Sequence, residues 1–130
     1  MSAMAGRLEN EHIFVTGGAQ GIGAAIVEKC LNEGAKVSFI DLDIAAAKDH
    51  AARLGAWPAR LSFAQGDVRS AGDIARAHDA ARASFGPVTG LVNNAGRNSY
   101  ADPVTMTEEQ WDDVFAVGLK SSWLCARAML

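Results

Sequence analysis

The chain has 130 residues, with 12 Lys and Arg against 15 Asp and Glu, which gives a formal net charge of −3. Hydrophobic residues make up 49% of it and charged residues 21%, the composition of a globular protein with one core. The mildly acidic balance predicts neither nucleic-acid binding nor attraction to an anionic membrane. No apolar run approaches the roughly 20 residues of a membrane span, and the first residues lack the hydrophobic stretch of a secretory signal.

Cysteine and histidine are too sparse to indicate a metal centre or a disulfide framework. The two cysteines, Cys30 and Cys125, lie far apart in sequence, and the histidines form no pair at helical spacing. We therefore expect reduced thiols, as in a cytoplasmic protein, and no metal site.

Short β-branched or aromatic runs alternate with alanine-rich segments along the chain, a pattern typical of βαβ units and a parallel sheet. Strands are predicted at residues 12–16, 36–40, 61–64 and 88–92, the second closing at Asp41. Helices are predicted between them, and a last helix runs from about residue 107 to the end. The predicted fold class is α/β with a doubly wound parallel sheet.

Apolar stripes and capping residues mark the predicted helices. In the first helix, Ile22, Ile26 and Cys30 form one stripe, and Gly34 suits the left-handed position after the helix. The other predicted caps are Asp43 and Gly55 around the second helix, Ser70 with Asp73 before the third, and Thr107 with Gln110 before the last.

The last predicted helix is apolar on two sides. Such a helix is buried on both sides or lies in an interface. The two sets of residues are Val114, Val117 and Leu124, and Trp111, Phe115 and Leu119.

The glycine-rich run after the first strand is the strongest functional signal. Gly17 suits a tight turn, Gly21 leaves room for a phosphate, and Gly23 allows the helix to pack closely on the sheet. The amino end of the helix that follows offers unpaired N–H groups and a positive dipole to a pyrophosphate. The alternative is a tight strand-to-helix turn that binds no ligand.

An acid follows at the distance expected for ribose recognition. Asp41 lies 20 residues after Gly21, at the end of the second strand, and can accept hydrogen bonds from ribose hydroxyls while repelling a 2′-phosphate. Neither Gln20 nor Leu42 supplies a basic residue, so we expect NAD rather than NADP. The alternative is a solvated acid in an ordinary turn.

The run from Thr16 to Gly23, together with Asn93-Asn94-Ala95-Gly96, resembles the short-chain dehydrogenase/reductase family over nearly the whole chain. The resemblance implies a Rossmann-type sheet in the order 3-2-1-4, here truncated. It also implies hydride transfer between a nicotinamide cofactor and an alcohol or carbonyl substrate. We therefore divide the chain into a flexible tail, residues 1–10, and a partial dinucleotide-binding domain, residues 11–130.

Candidate cofactor-binding residues follow from the glycine run, from Asp41 and its neighbours, and from the resemblance. In the family, Asp67 and Val68 match a pair beside the adenine, and the Asn-Asn-Ala-Gly segment lies along the nicotinamide-side ribose. Asp67 could instead be a turn or cap residue, and Asn-Asn-Ala-Gly an ordinary turn. The predicted set is Gly17, Gln20, Gly21, Ile22, Gly23, Asp41, Leu42, Asp67, Val68, Asn93, Ala95 and Gly96.

Two departures from the family pattern affect the chemistry. Gly118 stands where the family usually has an asparagine that supports a proton-carrying water chain. The family's catalytic serine and Tyr-x-x-x-Lys motif fall beyond Leu130. The single tyrosine, Tyr100, is followed four residues later by Val104, and Ser99 and Tyr100 are expected in an ordinary loop. We predict no catalytic residue within these 130 residues and little activity from them alone.

Three further interpretations stay open: a non-catalytic nucleotide-binding or interaction fragment, a gene remnant, and, more distantly, a methyltransferase. As partners we expect the small alcohol or carbonyl substrate of a complete family member and a second copy of the chain, contacted through the last helix. An unpaired fourth strand would leave an edge open to association.

Overall fold

The computed structural model describes residues 6–96 and 100–130, which form one four-stranded parallel sheet with helices on both faces. The order β3-β2-β1-β4 confirms the predicted order and fold class. The strands are β1 (His12–Thr16), β2 (Lys36–Asp41), β3 (Leu61–Gln65) and β4 (Gly90–Val92). The helices are α1 (Gly21–Asn32), α2 (Ile44–Leu54), α3 (Ala71–Phe85), α4 (Glu108–Phe115) and α5 (Ser121–Met129), with a π-helical turn, Ala116–Lys120, between the last two.

The two central strands are covered on both faces, which explains their nearly continuous apolar sequence. Every residue of β1 is buried, and β1 pairs in register with β2, Ile13 beside Val37 and Val15 beside Phe39. On its other side, β1 pairs with β4 from Gly90 onward. Because the carboxyl ends of all four strands lie at one edge, the loops that follow them meet there.

The predicted fourth strand at residues 88–92 is shorter in the structure. Thr89 still contacts β1, since its N–H donates to the His12 carbonyl oxygen at 2.8 Å and its Oγ1 accepts from the His12 N–H at 2.9 Å. A side-chain oxygen thus replaces a backbone partner, and the regular ladder begins one residue later, at Gly90.

Each face of the sheet has its own core. On one face, α1 and α2 bury residues such as Val27, Leu31 and Ala47 against Val37 and Phe39. On the other, the residues that pack against Phe14 and Ile40 come from α3 and the π-helical turn: Ala77, Ala81 and Val117. The sheet is doubly wound, as predicted.

Most predicted caps are present. The Asp43 side chain accepts from the Ala46 N–H at 3.0 Å, and Gly55 ends α2 with a φ of +69°. Thr107 and Gln110 form a complete capping box at the start of α4. The Ser70–Asp73 box is only half formed: Ser70 Oγ accepts from the Asp73 N–H, but the Asp73 carboxylate accepts from the Asp67 N–H instead of closing the box.

The predicted apolar stripe of α1 is wrong at its first residue. Ile22 is 75% exposed, and the buried residues of the helix are Gly23, Val27, Cys30 and Leu31. Gly23 sets the face that meets the sheet, because its missing side chain allows the closest approach. The buried stripe therefore starts at Gly23 and not at Ile22.

The last helix is interrupted rather than continuous. Its π-helical turn contains Gly118, and the Ser121 hydroxyl donates to the Val117 carbonyl oxygen at 2.5 Å, which gives that carbonyl a partner where the helical ladder widens. One predicted face is buried through Val117 and Leu124. The other is exposed, contrary to a helix buried on both sides.

Of the segment that we predicted as a tail, residues 1–10, the structure describes residues 6–10. Residues 6–10 form a turn against the end of α1, where the Leu8 N–H donates to the Glu33 carbonyl oxygen at 2.9 Å and Arg7 pairs with the Glu33 carboxylate at 2.9 Å. Residues 1–5 lie outside the described part of the chain.

Candidate functional site

A glycine-rich loop connects the carboxyl end of β1 to the amino end of α1. Gly17 and Gly21 have φ values of +68° and +57°, which side chains rarely adopt, and a Cβ added at Gly21 would meet no atom within 4 Å. The Gln20 side chain accepts no capping hydrogen bond from α1, and its Nε2 donates to the Asp43 carboxylate at 3.2 Å. The first-turn N–H groups of α1 therefore keep donor capacity beside open space.

Helix α1 lies unusually close to this loop because of Gly23. A Cβ at Gly23 would overlap the Gly17 carbonyl oxygen and press on the Asn94 side chain. Asn94 Nδ2 donates to the carbonyl oxygens of Thr16 and Gly17, at 3.1 Å each. One amide group thereby ties the loop after β4 to the loop after β1, and close packing by Gly23 is as predicted.

A buried hydroxyl completes the junction between the two loops. Thr16 is 1% exposed, and its Oγ1 accepts from the N–H groups of Asn94 and Ala95 at 3.0 and 2.9 Å. Sequence reasoning placed Thr16 in the first strand and in the glycine motif, and Asn94 in the Asn-Asn-Ala-Gly motif, but included neither among the cofactor-binding residues. The signal that could have identified them is a polar pair at the ends of two adjacent parallel strands.

The Asp41 carboxylate closes the other side of the loop. Its Oδ2 accepts from the Ala19 N–H at 3.0 Å, and its Oδ1 accepts from the Asp43 N–H at 2.9 Å. Each oxygen retains a further acceptor position. Asp41 therefore shapes the loop within the protein and can still accept a hydrogen bond from a ligand.

These loops enclose a cleft of about 300 Å³ at the carboxyl edge of the sheet. Eight predicted site residues line it, namely Gly17, Gln20, Asp41, Leu42, Asp67, Val68, Ala95 and Gly96. Gly21, Ile22, Gly23 and Asn93 are not on this lining: the first three lie in the first turn of α1, and Asn93 is exposed beside Asn94. The lining residues that sequence reasoning missed are Ile40, Gly66, Asn94 and Val117.

Arg69 connects the cleft to α4. Its guanidinium donates to both oxygens of the Asp67 carboxylate, with Nη2 at 2.7 Å from Oδ2, and its Nη1 donates to Asp113 Oδ1 at 2.5 Å. The two carboxylates raise the pKa of Arg69 above its usual range, Asp67 first. The Arg69 side chain thus links the turn after β3 to α4, which leads into the π-helical turn that supplies Val117 to the cleft.

The residues that the structure describes bring together no set of side chains suited to catalysis. Tyr100 is 97% exposed and Val104 is also exposed, while Ser99 lies outside the described residues. Within residues 6–96 and 100–130, no group of three or more His, Cys, Asp or Glu side chains could hold a metal ion. In the same ranges, no helix combines the length and apolar character needed to cross a membrane.

Comparison with known proteins agrees with this architecture. The 2-(S)-hydroxypropyl-CoM dehydrogenase 3 of Xanthobacter autotrophicus is 41% identical to this chain over 127 residues. The alignment covers 98% of this chain and 50% of that protein. The probable galactose dehydrogenase GalD of Rhizobium meliloti is 36% identical, and its alignment covers 94% of this chain and 48% of that protein. Both comparisons show that the chain spans about half the length of these relatives.

Solved structures and a family model point the same way. A crystal structure of a short-chain dehydrogenase/reductase of the glucose/ribitol dehydrogenase type, from Brucella melitensis, superposes with a TM-score of 0.91 at 28% identity, covering 97% of this chain and 53% of that one. The family model for short chain dehydrogenases matches residues 11–130. The chain belongs to the short-chain dehydrogenase family.

Proposed function

We propose that this chain binds a nicotinamide adenine dinucleotide, NAD in preference to NADP, in the cleft at the carboxyl edge of its sheet. The observation that carries the proposal is the glycine loop. Gly17 and Gly21 take left-handed conformations, and open space lies where a Cβ of Gly21 would stand. Such a cradle at a helix amino end suits a pyrophosphate, since N–H donors and the helix dipole both favour its negative charge.

Each part of the dinucleotide has a proposed partner. The loop, including Gln20, Ile22 and Gly23, would hold the pyrophosphate. Asp41 would accept from the ribose hydroxyls beside Leu42, and Val68 with Asp67 would lie beside the adenine. Asn93, Ala95 and Gly96 would lie along the nicotinamide-side ribose. When bound, the nicotinamide ring supplies a site that accepts or donates a hydride.

The preference for NAD follows from charge. The Asp41 carboxylate would lie next to a 2′-phosphate, and its repulsion has no nearby cation to offset it at Gln20 or Leu42. The substrate class proposed for the whole protein is an alcohol or carbonyl compound. In support, the relatives carry the names of dehydrogenases for different compounds. We also propose a cytoplasmic protein that pairs with a second copy through α4 and α5.

Binding is tested by titrating the chain with NADH and NADPH and following energy transfer from tryptophan to the reduced nicotinamide. We expect saturable binding of NADH and at least about tenfold weaker binding of NADPH, about 1.4 kcal/mol. Asp41→Asn retains one acceptor for the loop but removes the negative charge, so it should narrow the difference between the NADH and NADPH affinities. Asp43→Asn is the matched control, because this acid caps α2 and is not on the cleft lining.

Two results would contradict the proposal: no saturable signal up to millimolar NADH, or a preference that Asp41→Asn leaves unchanged. A non-catalytic nucleotide-binding or interaction fragment is the second candidate, favoured by the full exposure of the single tyrosine. NADH formation from an alcohol by the whole protein separates it from the first, because these 130 residues alone are expected to show little activity. Binding without NADH formation from any alcohol assigns these 130 residues a binding role.

A further inference from the structure

Helix α2 buries a polar side chain in the core between itself, α1 and the sheet. Its buried residues are Ala47, His50 and Ala51, and of these three only His50, at 5% exposure, has a large side chain. Burying an imidazole is unfavourable unless its polar atoms find partners. The contacts of His50 should therefore explain why a histidine stands where an apolar residue would fill the same space.

The His50 side chain is bonded to α1. Its Nε2 lies 3.2 Å from the Ala24 carbonyl oxygen. Because a carbonyl oxygen only accepts, Nε2 carries the proton and donates it to this bond. Ala24 lies in the first turn of α1, and its own N–H donates to the Gln20 carbonyl oxygen at 3.1 Å. The imidazole thus contacts the helix one residue after Gly23, at the end that is proposed to bind the pyrophosphate.

The same ring lies next to the residue that supports the glycine loop. A Cβ added at Gly18 would stand 2.6 Å from Cβ and Cγ of Phe39, so the loop lies directly on the Phe39 side chain. The ring centroids of Phe39 and His50 are 6.4 Å apart, with the planes tilted by 54°, which is within the range of a favourable aromatic pair. His50 therefore adjoins both the support of the loop and the first turn of α1.

The amino end of α1 is held from two sides. No side chain caps it, since Gln20 accepts no capping hydrogen bond. Toward β1, the close approach of Gly23 to the Gly17 carbonyl oxygen sets the position of the helix. Toward α2, the bond from His50 does so, in surroundings where a hydrogen bond is stronger than in water. Together the two contacts set the direction in which the first-turn N–H groups point.

We propose that His50 is a positioning residue of the dinucleotide site, and that its bond to the Ala24 carbonyl oxygen keeps the first turn of α1 aligned for the pyrophosphate. The proposal rests on the proposed function. It adds a residue that is not on the cleft lining and lies outside the glycine-rich run. His50 contacts no part of the dinucleotide and acts only through α1 and Phe39.

The experiment compares variants with and without a donor at the position of the His50 Nε2. His50→Gln places an amide N–H near that position, His50→Asn carries an amide too short to reach Ala24, and His50→Leu fills the space without a donor. The matched control is Leu54→Ala, because Leu54 packs on the same core from α2 and its side chain cannot form a hydrogen bond. NADH affinity, thermal unfolding and hydrogen exchange at the Ala24 amide are measured for each variant.

We expect His50→Leu and His50→Asn to weaken NADH binding by about fivefold, the equivalent of one neutral hydrogen bond. Exchange at the Ala24 amide should become faster by a similar factor. His50→Gln should stay within about twofold of the original in both measurements. Leu54→Ala should lower the thermal midpoint more than His50→Leu does, through lost burial, while its NADH affinity stays within about twofold of the original.

Unchanged NADH affinity in both donor-free variants would overturn the inference and leave the proposed function intact. Equal losses in His50→Gln and His50→Asn would also overturn it, because the donor would then play no part. If His50→Leu does not fold, the comparison of the Gln and Asn variants still decides the question. If the original chain binds no NADH, the proposed function is refuted and this inference with it.

Discussion

The loop between β1 and α1 and the helical segment from α4 to α5 are built in opposite ways. Around the loop, backbone and side-chain groups of one element are bonded to another element, as with Thr16 and Asn94, and the core beside it is fully buried. Along the carboxyl-terminal helices, one face packs on the sheet while Trp111, Phe115 and Leu119 stay exposed, Leu119 by 64%. The groups around the loop find their partners within the chain, whereas the carboxyl-terminal helices are packed on one face only.

The difference separates residues that stabilise the fold from residues available to a partner. The centroids of the Trp111 and Phe115 rings lie 4.8 Å apart on the exposed face, so the two rings form an apolar patch. Substitutions on this face should change association, and substitutions at the covered face or at the loop should change stability. Three predictions test this division, and a fourth concerns an ion pair at the end of α1.

The largest effect is expected from two leucines on opposite sides of the same helical segment. Leu124 is 5% exposed, so Leu124→Ala should lower the free energy of unfolding by about 2–5 kcal/mol, through lost burial and a cavity. Leu119→Ala should change it by less than about 0.5 kcal/mol and reduce self-association. Urea denaturation and sedimentation measure the two quantities. Equal destabilisation by both changes would refute the distinction between the faces.

Gly23→Ala should lower the free energy of unfolding by about 1–3 kcal/mol, because the added Cβ overlaps the Gly17 carbonyl oxygen and forces α1 away from the loop. Gly118→Ala is the matched control. A Cβ there meets nothing within 4 Å, and alanine is the better helix former, so that variant should be unchanged or more stable by up to about 1 kcal/mol. Thermal unfolding of both variants provides the comparison, and a Gly23 variant as stable as the original would contradict the packing described.

Thr16→Val should lower the free energy of unfolding by about 1–3 kcal/mol. The change keeps the shape of the side chain but leaves the N–H groups of Asn94 and Ala95 without their acceptor. Thr16→Ser retains the hydroxyl and should lose less. Hydrogen exchange at the Asn94 and Ala95 amides reports the local effect. Exchange rates that stay the same in Thr16→Val would show that the hydroxyl is not their partner.

The smallest effect concerns acid stability at the end of α1. Hydrogen bonds from Arg7 and Lys29 lower the pKa of Glu33 to about 2. The folded state therefore gains stability from this carboxylate above its unfolded pKa of about 4.3, and that gain is lost as the pH falls from about 4.3 to about 2. Glu33→Gln should abolish this part of the pH dependence in chemical denaturation, whereas Glu28→Gln should preserve it.

The features that could be predicted from the sequence are those caused by residues close to one another in the chain. Asp43, Gly55 and the Thr107–Gln110 box act within a few residues of themselves, and each was predicted at its observed position. The strand order came from the family resemblance. Hydrophobic periodicity failed at Ile22, because it gives weight to large side chains and α1 docks through Gly23, which has none.

The missed parts of the site depend on contacts between distant elements. Asn94 and Thr16 are 78 residues apart and meet only because β1 and β4 are adjacent. Asp73 has the spacing of a helix cap, yet its carboxylate accepts from the Asp67 N–H across the turn. Val117 reaches the cleft from a helix whose π-helical turn has no signature in the apolar pattern.

The bonds of Asp41 to Ala19 and Asp43 have a practical consequence for anyone who wishes to redesign coenzyme choice. Exchanging this acid for a small residue would remove its charge, and a basic residue would reverse it. Either change would also release the loop, so a gain in selectivity would be offset by a distorted loop. A cation introduced at neighbouring Leu42, which projects into solvent at the rim, would alter the local field while the scaffold stays intact.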